Sequence, residues 1–178
     1  AFLAVEPTVN NAALSVPGGG IANLLAGSQT FGPVIRAGLQ AAGVEPDSPD
    51  FFAFLNIAQA AVDSADPINW ARNAVQANSI LLHQVAGDTV VPNAVPGAPL
   101  SGTEPLIRVM GLDPITGTTQ DAAGIRGATR FISGGHGSLL DPTADPAVTA
   151  EMQGQAASLI QTGGTTVVVN NPSVIETD

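Results

Sequence analysis

The chain has 178 residues, 44% hydrophobic and 11% charged, which is enough apolar material to build one domain and too much for an intrinsically disordered segment. Five Lys plus Arg against fifteen Asp plus Glu leave a net charge of -10, which repels nucleic acid and anionic membranes, and with one Trp, six Phe and no Tyr no aromatic platform for stacking bases or sugars is apparent. The lack of cysteine excludes disulfides and thiolate chemistry without fixing a compartment, and no run reaches the about 20 apolar residues needed to cross a bilayer.

Residues 1–6 carry neither a starting Met nor the basic flank of a signal peptide, so the beginning reads as internal to a longer protein. Residues 11–16 form a short apolar run that stops at Pro17 and the glycines Gly18, Gly19 and Gly20, which predicts a buried strand and then a turn that needs permissive backbone. Residues 21–42 and 50–73 carry apolar side chains at helical spacing, and the second stretch is entered through Ser48, Pro49 and Asp50. Together, residues 21–73 are expected to form a helical cap or lid over a pocket. Residues 79–85 predict a buried strand closed by Ala86, Gly87 and Asp88. Residues 92–127, rich in Pro, Gly and Thr, predict a long excursion with little regular structure beyond a short strand at 105–110. A further strand at 128–133 is closed by Gly134, Gly135 and His136. Residues 145–161 then predict a helix opened by an Asp-Pro pair, followed by a last strand at 165–169.

Two strands therefore end in a titratable residue, first Asp88 and then His136. In open parallel sheets, ligand sites lie beyond the carboxyl ends of the strands, so both residues are site candidates by position alone. His136 sits in Gly-Gly-His-Gly-Ser, where the glycines leave the ring uncrowded; the plainer reading is a loop histidine bonded to backbone. Asp88, followed by Thr89, Val90 and Val91, needs a partner if buried, because an unpaired buried charge costs several kcal/mol. The plainer reading here is an Asx turn at the end of a strand. His83, inside its strand, reads as a core residue. Asp141 is the rival acid for His136.

No Gly-x-Ser-x-Gly occurs in the chain, and Ser138 lies too close to His136 in sequence to act as its nucleophile. The triple glycine lacks the Lys-Ser/Thr of a phosphate loop and reads as a structural turn. Asp63, Asp66, Asp141 and Asp145 lack the ligand spacing of a calcium loop and read as turns and helix starts. No metal or cofactor is implied.

Residues 15–25 (SVPGGGIANLL), 61–71 (AVDSADPINWA), 83–93 (HQVAGDTVVPN) and 128–142 (ATRFISGGHGSLLDP) resemble the matching parts of the bacterial virulence-factor lipase family, a group of extracellular lipases in the α/β-hydrolase superfamily. The likeness runs through nearly the whole chain. It implies the C-terminal part of an α/β-hydrolase fold: a mostly parallel sheet with a helical cap inserted, lacking the N-terminal strands and the nucleophile elbow. It implies a carboxylic-ester hydrolase, a lipase or esterase with a Ser-His-Asp triad, whose acid is Asp88 and whose base is His136. The serine and the oxyanion-hole amides would lie on an N-terminal portion outside this chain. The resemblance further implies an apolar acyl-ester substrate and a secreted or outer-membrane-associated protein. Two other readings stay open. One is a catalytically inactive, hydrolase-like binding or structural domain; the other, an adhesin-like β-domain, is disfavoured by the helical periodicity.

Overall fold

The computed structural model describes residues 1–177. Its centre is a parallel four-stranded sheet with helices packed on both faces, an α/β architecture as the alternation of strands and helices predicts. The strands are β1 (Asn11–Ser15), β2 (Ser79–Val85), β3 (Asp113–Pro114) and β5 (Arg126–Phe131), arranged β1-β2-β5-β3. In register, Ser15 stands beside His83 and Val85 beside Phe131, so the three longer strands end at one edge of the sheet.

β2 is buried from Ile80 to Val85, as a strand covered on both faces must be. Its alternation divides the core. Ile80 and Leu82, with Ala128 of β5, pack against α5 (Pro67–Ala77) and α6 (Thr103–Met110) through Ala71, Ala74, Leu106 and Ile107. Leu81 packs with Leu159 of α7 (Pro146–Gln161), while Val85 and Phe131 meet Val148 and Met152 of the same helix. Val16, just past β1, joins this last cluster, so one patch of core ties all three strand tips together.

After the single-turn helix α1 (Phe2–Val5), the helical stretch 21–73 is broken into α2 (Ile21–Gly27), α3 (Gly32–Ala41), α4 (Pro49–Val62) and the start of α5. Ser48 caps α4 by accepting the Phe51 N–H at 3.2 Å, and Pro49 occupies its first position, as the sequence suggests. Phe51 and Leu55 of α4 and Ala26 of α2 form a small core of their own, apart from the sheet. Of the stretch expected to be a cap, α2, α3 and α4 have this separate packing, whereas α5 lies on the sheet.

The expected strand at 105–110 is the helix α6. Its β-branched run favours a strand, but Leu106, Ile107 and Met110 share one helical face and are buried together against α5. Gly111 closes the helix in the left-handed conformation at φ +67°. The strand expected at 128–133 begins and ends two residues earlier, as β5. The last strand shrinks to β6 (Thr166–Val167), which pairs antiparallel with β4 (Thr119–Gln120) outside the main sheet.

Candidate functional site

At the carboxyl end of the sheet, Asp88 Oδ2 and His136 Nδ1 lie 2.9 Å apart. The two residues leave adjacent parallel strands, β2 and β5, through glycine turns. Gly87 has φ +73° and Gly134 φ +108°, values that an L side chain adopts only with strain. At Gly134 space forbids a side chain as well, because a Cβ would stand 2.9 Å from Ser138 Oγ.

The Asp88 carboxylate divides its work. Oδ1 accepts the N–H groups of Val90 at 2.8 Å and Val91 at 3.0 Å, an Asx turn, while Oδ2 faces the imidazole. The two readings of this residue thus hold together: the turn fixes the carboxylate so that one oxygen points at His136. The Asp88 side chain is 1% exposed and that of His136 is 38% exposed, so the acid is sealed and the base keeps one side open. With Nδ1–H donating to the carboxylate, Nε2 carries the ring's lone pair. Among the described residues, no side chain hydrogen-bonds to Nε2.

The histidine loop is held at both ends. Ser133 Oγ donates to Asp145 Oδ2 at 2.7 Å, and Asp145 Oδ1 caps α7 by accepting the N–H groups of Ala147 and Val148. Those bonds hold the Asp145 carboxyl below its ordinary value, the Ser133 hydroxyl contributing most. Ser138 is buried, and its Oγ accepts the Gly135 N–H at 2.8 Å, a structural task that leaves it turned into its own loop. Asp141 accepts from the backbone and hydroxyl of Thr143 and, among the described residues, forms no hydrogen bond or ion pair with His136, so the rival acid has a turn of its own.

His83 is in the core, as expected. It is fully buried on the α7 side of β2, edge-on to Phe131 with ring centroids 5.4 Å apart. Burial lowers its pKa to about 4 against a weaker opposing pull from Gln155. The Gln155 amide commits its oxygen to Thr129 and its nitrogen to Glu151, and neither ring nitrogen of His83 reaches a hydrogen-bond partner.

The triple glycine is a turn with a specific job. The N–H groups of Gly20 and Ile21, at the start of α2, point at the buried carboxylate of Asp66, at 3.0 and 2.8 Å. An anion-binding arrangement is therefore filled by the chain itself, from 46 residues away. Asp66 also accepts from the Gln59 amide at 2.7 Å and from the Ile68 N–H at 3.0 Å, capping α5. Burial pushes its carboxyl up, and the bonds from Ile21, Ile68, Gln59 and Gly20 outweigh that, leaving it below its ordinary value. The Asp66-Pro67 pair signals that cap in the sequence, and nothing local signals the long-range bonds.

Beside this turn lies a cleft of about 790 Å3 between α2, α4, α5 and the loop 96–101. Neither Asp88 nor His136 lines it. Among the described residues, no group of His, Asp and Glu side chains is gathered as a metal ion would require, and no helix is long and apolar enough to cross a membrane. Comparison of the chain with protein-family models, with curated proteins and with solved structures finds no match.

Proposed function

We propose that this chain is the acid- and base-bearing part of a carboxylic-ester hydrolase of the α/β-hydrolase kind, acting on apolar acyl esters. The observation that carries the reading is the 2.9 Å contact between a sealed carboxylate and a half-open imidazole at neighbouring parallel strand tips. A serine from a segment outside this chain would meet Nε2. His136 would take the serine proton as the oxygen attacks the ester carbonyl, then return it to the departing alcohol. Asp88 would hold the ring and balance the imidazolium as it forms.

Two further features support the reading. Among the described residues β1 pairs with β2 alone, so its other edge could take a strand that leads into a nucleophile elbow. Ile132 and Leu140, four residues before and four after His136 in the chain, expose 56% and 85% of their surface, apolar area that an acyl substrate could use. A secreted or outer-membrane-associated location rests on the resemblance to extracellular lipases.

The second reading is an inactive, hydrolase-like binding domain, favoured by the absence of any partner at Nε2 among the described residues and by the cleft beneath α4. One experiment separates them. The full-length protein, treated with a fluorophosphonate and digested for mass spectrometry, should carry one serine adduct, in a Gly-x-Ser-x-Gly outside this chain, and should hydrolyse p-nitrophenyl butyrate. A protein that neither labels nor turns over the ester is the binding domain.

A further inference from the structure

The cleft beside the triple glycine is built from one face of α4. Phe52, Asn56 and Gln59 recur at helical spacing, with Asp63 at the helix end, and all four look into it, while Phe51 and Leu55 turn the other way into their own core. Opposite stand Asn23 of α2, Ile68 and Asn69 of α5, and Leu100 of the loop. At about 790 Å3 the space has the size of a small-molecule site.

The polar groups of the cleft differ in what they have left to offer. Gln59 is fully engaged, its oxygen accepting the Ala22 N–H and its nitrogen bridging Asp63 and Asp66. Asn69 donates to the Asp63 carbonyl and, at 3.5 Å, to its carboxylate, and its oxygen accepts no hydrogen bond among the described residues. Asn23 and Asn56 make no hydrogen bond among the described residues, so each presents two donors and an acceptor to whatever enters. Phe52 and Leu100, 50% and 53% exposed, supply apolar surface beside them. Asp63 is the single charged residue of the lining, and no Lys, Arg or His is present. A phosphate or sulfate would therefore meet a carboxylate with no cation to balance it, in a chain of net charge -10.

We propose that this cleft binds a neutral, hydroxyl-rich amphiphile, with its hydroxyl groups on Asn23, Asn56 and Asn69 and its apolar part against Phe52, Ile68 and Leu100. Carboxamides suit hydroxyl groups because each both donates and accepts, as an alcohol does, without the desolvation cost of a charge. The inference stands on the cleft alone and does not need the esterase reading; a polyol or sugar joined to a hydrocarbon chain satisfies it.

The test is titration calorimetry of the full chain with n-octyl β-D-glucoside below its micelle-forming concentration, beside 1-octanol and octyl phosphate. Octyl glucoside should bind at one saturable site, more tightly than either analogue. The double variant Asn23→Leu, Asn56→Leu should weaken it at least tenfold and leave octanol binding equal or stronger. Both side chains lack internal bonds, so circular dichroism should be unchanged, and the single variant Asn56→Leu, on the exposed face of α4, should show part of the loss. Absence of saturable binding, octyl phosphate or octanol binding as tightly as the glucoside, or variants that bind like the parent would each overturn the proposal. No outcome depends on ester turnover.

Discussion

The two oxygens of Asp88 have separate partners, and one substitution isolates the oxygen that faces His136. In Asp88→Asn the side-chain Oδ1 still accepts from Val90 and Val91, at 2.8 and 3.0 Å, while an NH2 replaces the oxygen that faces His136 Nδ1. With the amide NH2 donating, His136 Nδ1 must accept, which moves the ring proton to Nε2 and would remove the proposed base. Loss of the same contact in a serine protease costs about 10^4-fold in rate, about 5 kcal/mol at 1.36 kcal/mol per decade. The turn survives, so stability should change by less than about 1 kcal/mol. Asp88→Ala removes the turn acceptor as well, leaving two N–H groups without a partner at about 1–3 kcal/mol each, hence an added loss of roughly 2–6 kcal/mol. The assay is ester hydrolysis by the full-length protein together with urea unfolding of each variant. If Asp88 acts only through the ring, Asp88→Asn should also add nothing once His136 is Ala. An Asp88→Asn protein within tenfold of the parent rate, or one as unstable as Asp88→Ala, would refute the division of roles.

Asp66→Ala leaves the N–H groups of Gly20, Ile21 and Ile68 without their acceptor and should cost roughly 3 kcal/mol or more, read as a lower urea midpoint. Because the folded carboxyl sits below its ordinary 3.8, the stability it supplies is complete above that value and declines from there until pH has fallen through the lower folded one; the parent should show this loss and the Ala variant should lack it. His83 works at a different pH. Its unfolded imidazole takes up a proton near 6.5 and the folded one only near 4, so acid favours the unfolded chain through that window, by about 3 kcal/mol when pH reaches 4. His83→Leu should remove that slope and raise stability at neutral pH, since it also removes two unpaired buried nitrogens. Equal slopes between pH 6.5 and 4 for parent and variant would count against a neutral, buried His83.

The parts of the fold readable in the sequence were those written in local pattern. β2 is a mostly apolar run with its glycine stop, α7 opens on Asp145-Pro146 and is followed by Gly163 and Gly164, and both appear where the pattern puts them. α6 was hidden because Ile107 and Val109 favour a strand, and only burial against Ala71 and Ala74 decides for the helix. The last strand was overextended because Val167, Val168 and Val169 look alike in sequence, whereas only Val167 has a paired neighbour, Thr119 of β4. At the site, the glycine turns after two strands pointed to Asp88 and His136, and parallel pairing of β2 with β5 brings them together. Neither the tie between Asp66 and Gly20 nor the amide-lined face of α4 was readable. Each depends on which segments meet across 40 or so residues, and that is a property of packing.

The central claim is that His136 is the base of an ester hydrolase, and kcat/KM of the full-length His136→Ala protein on p-nitrophenyl butyrate tests it most directly. The account predicts a fall of at least 10^3-fold with the fold intact, because the Nε2 lone pair is lost and nothing else among the described residues stands in its place. Parent-like turnover by that variant would contradict the account and leave the Asp88–His136 pair as a structural contact.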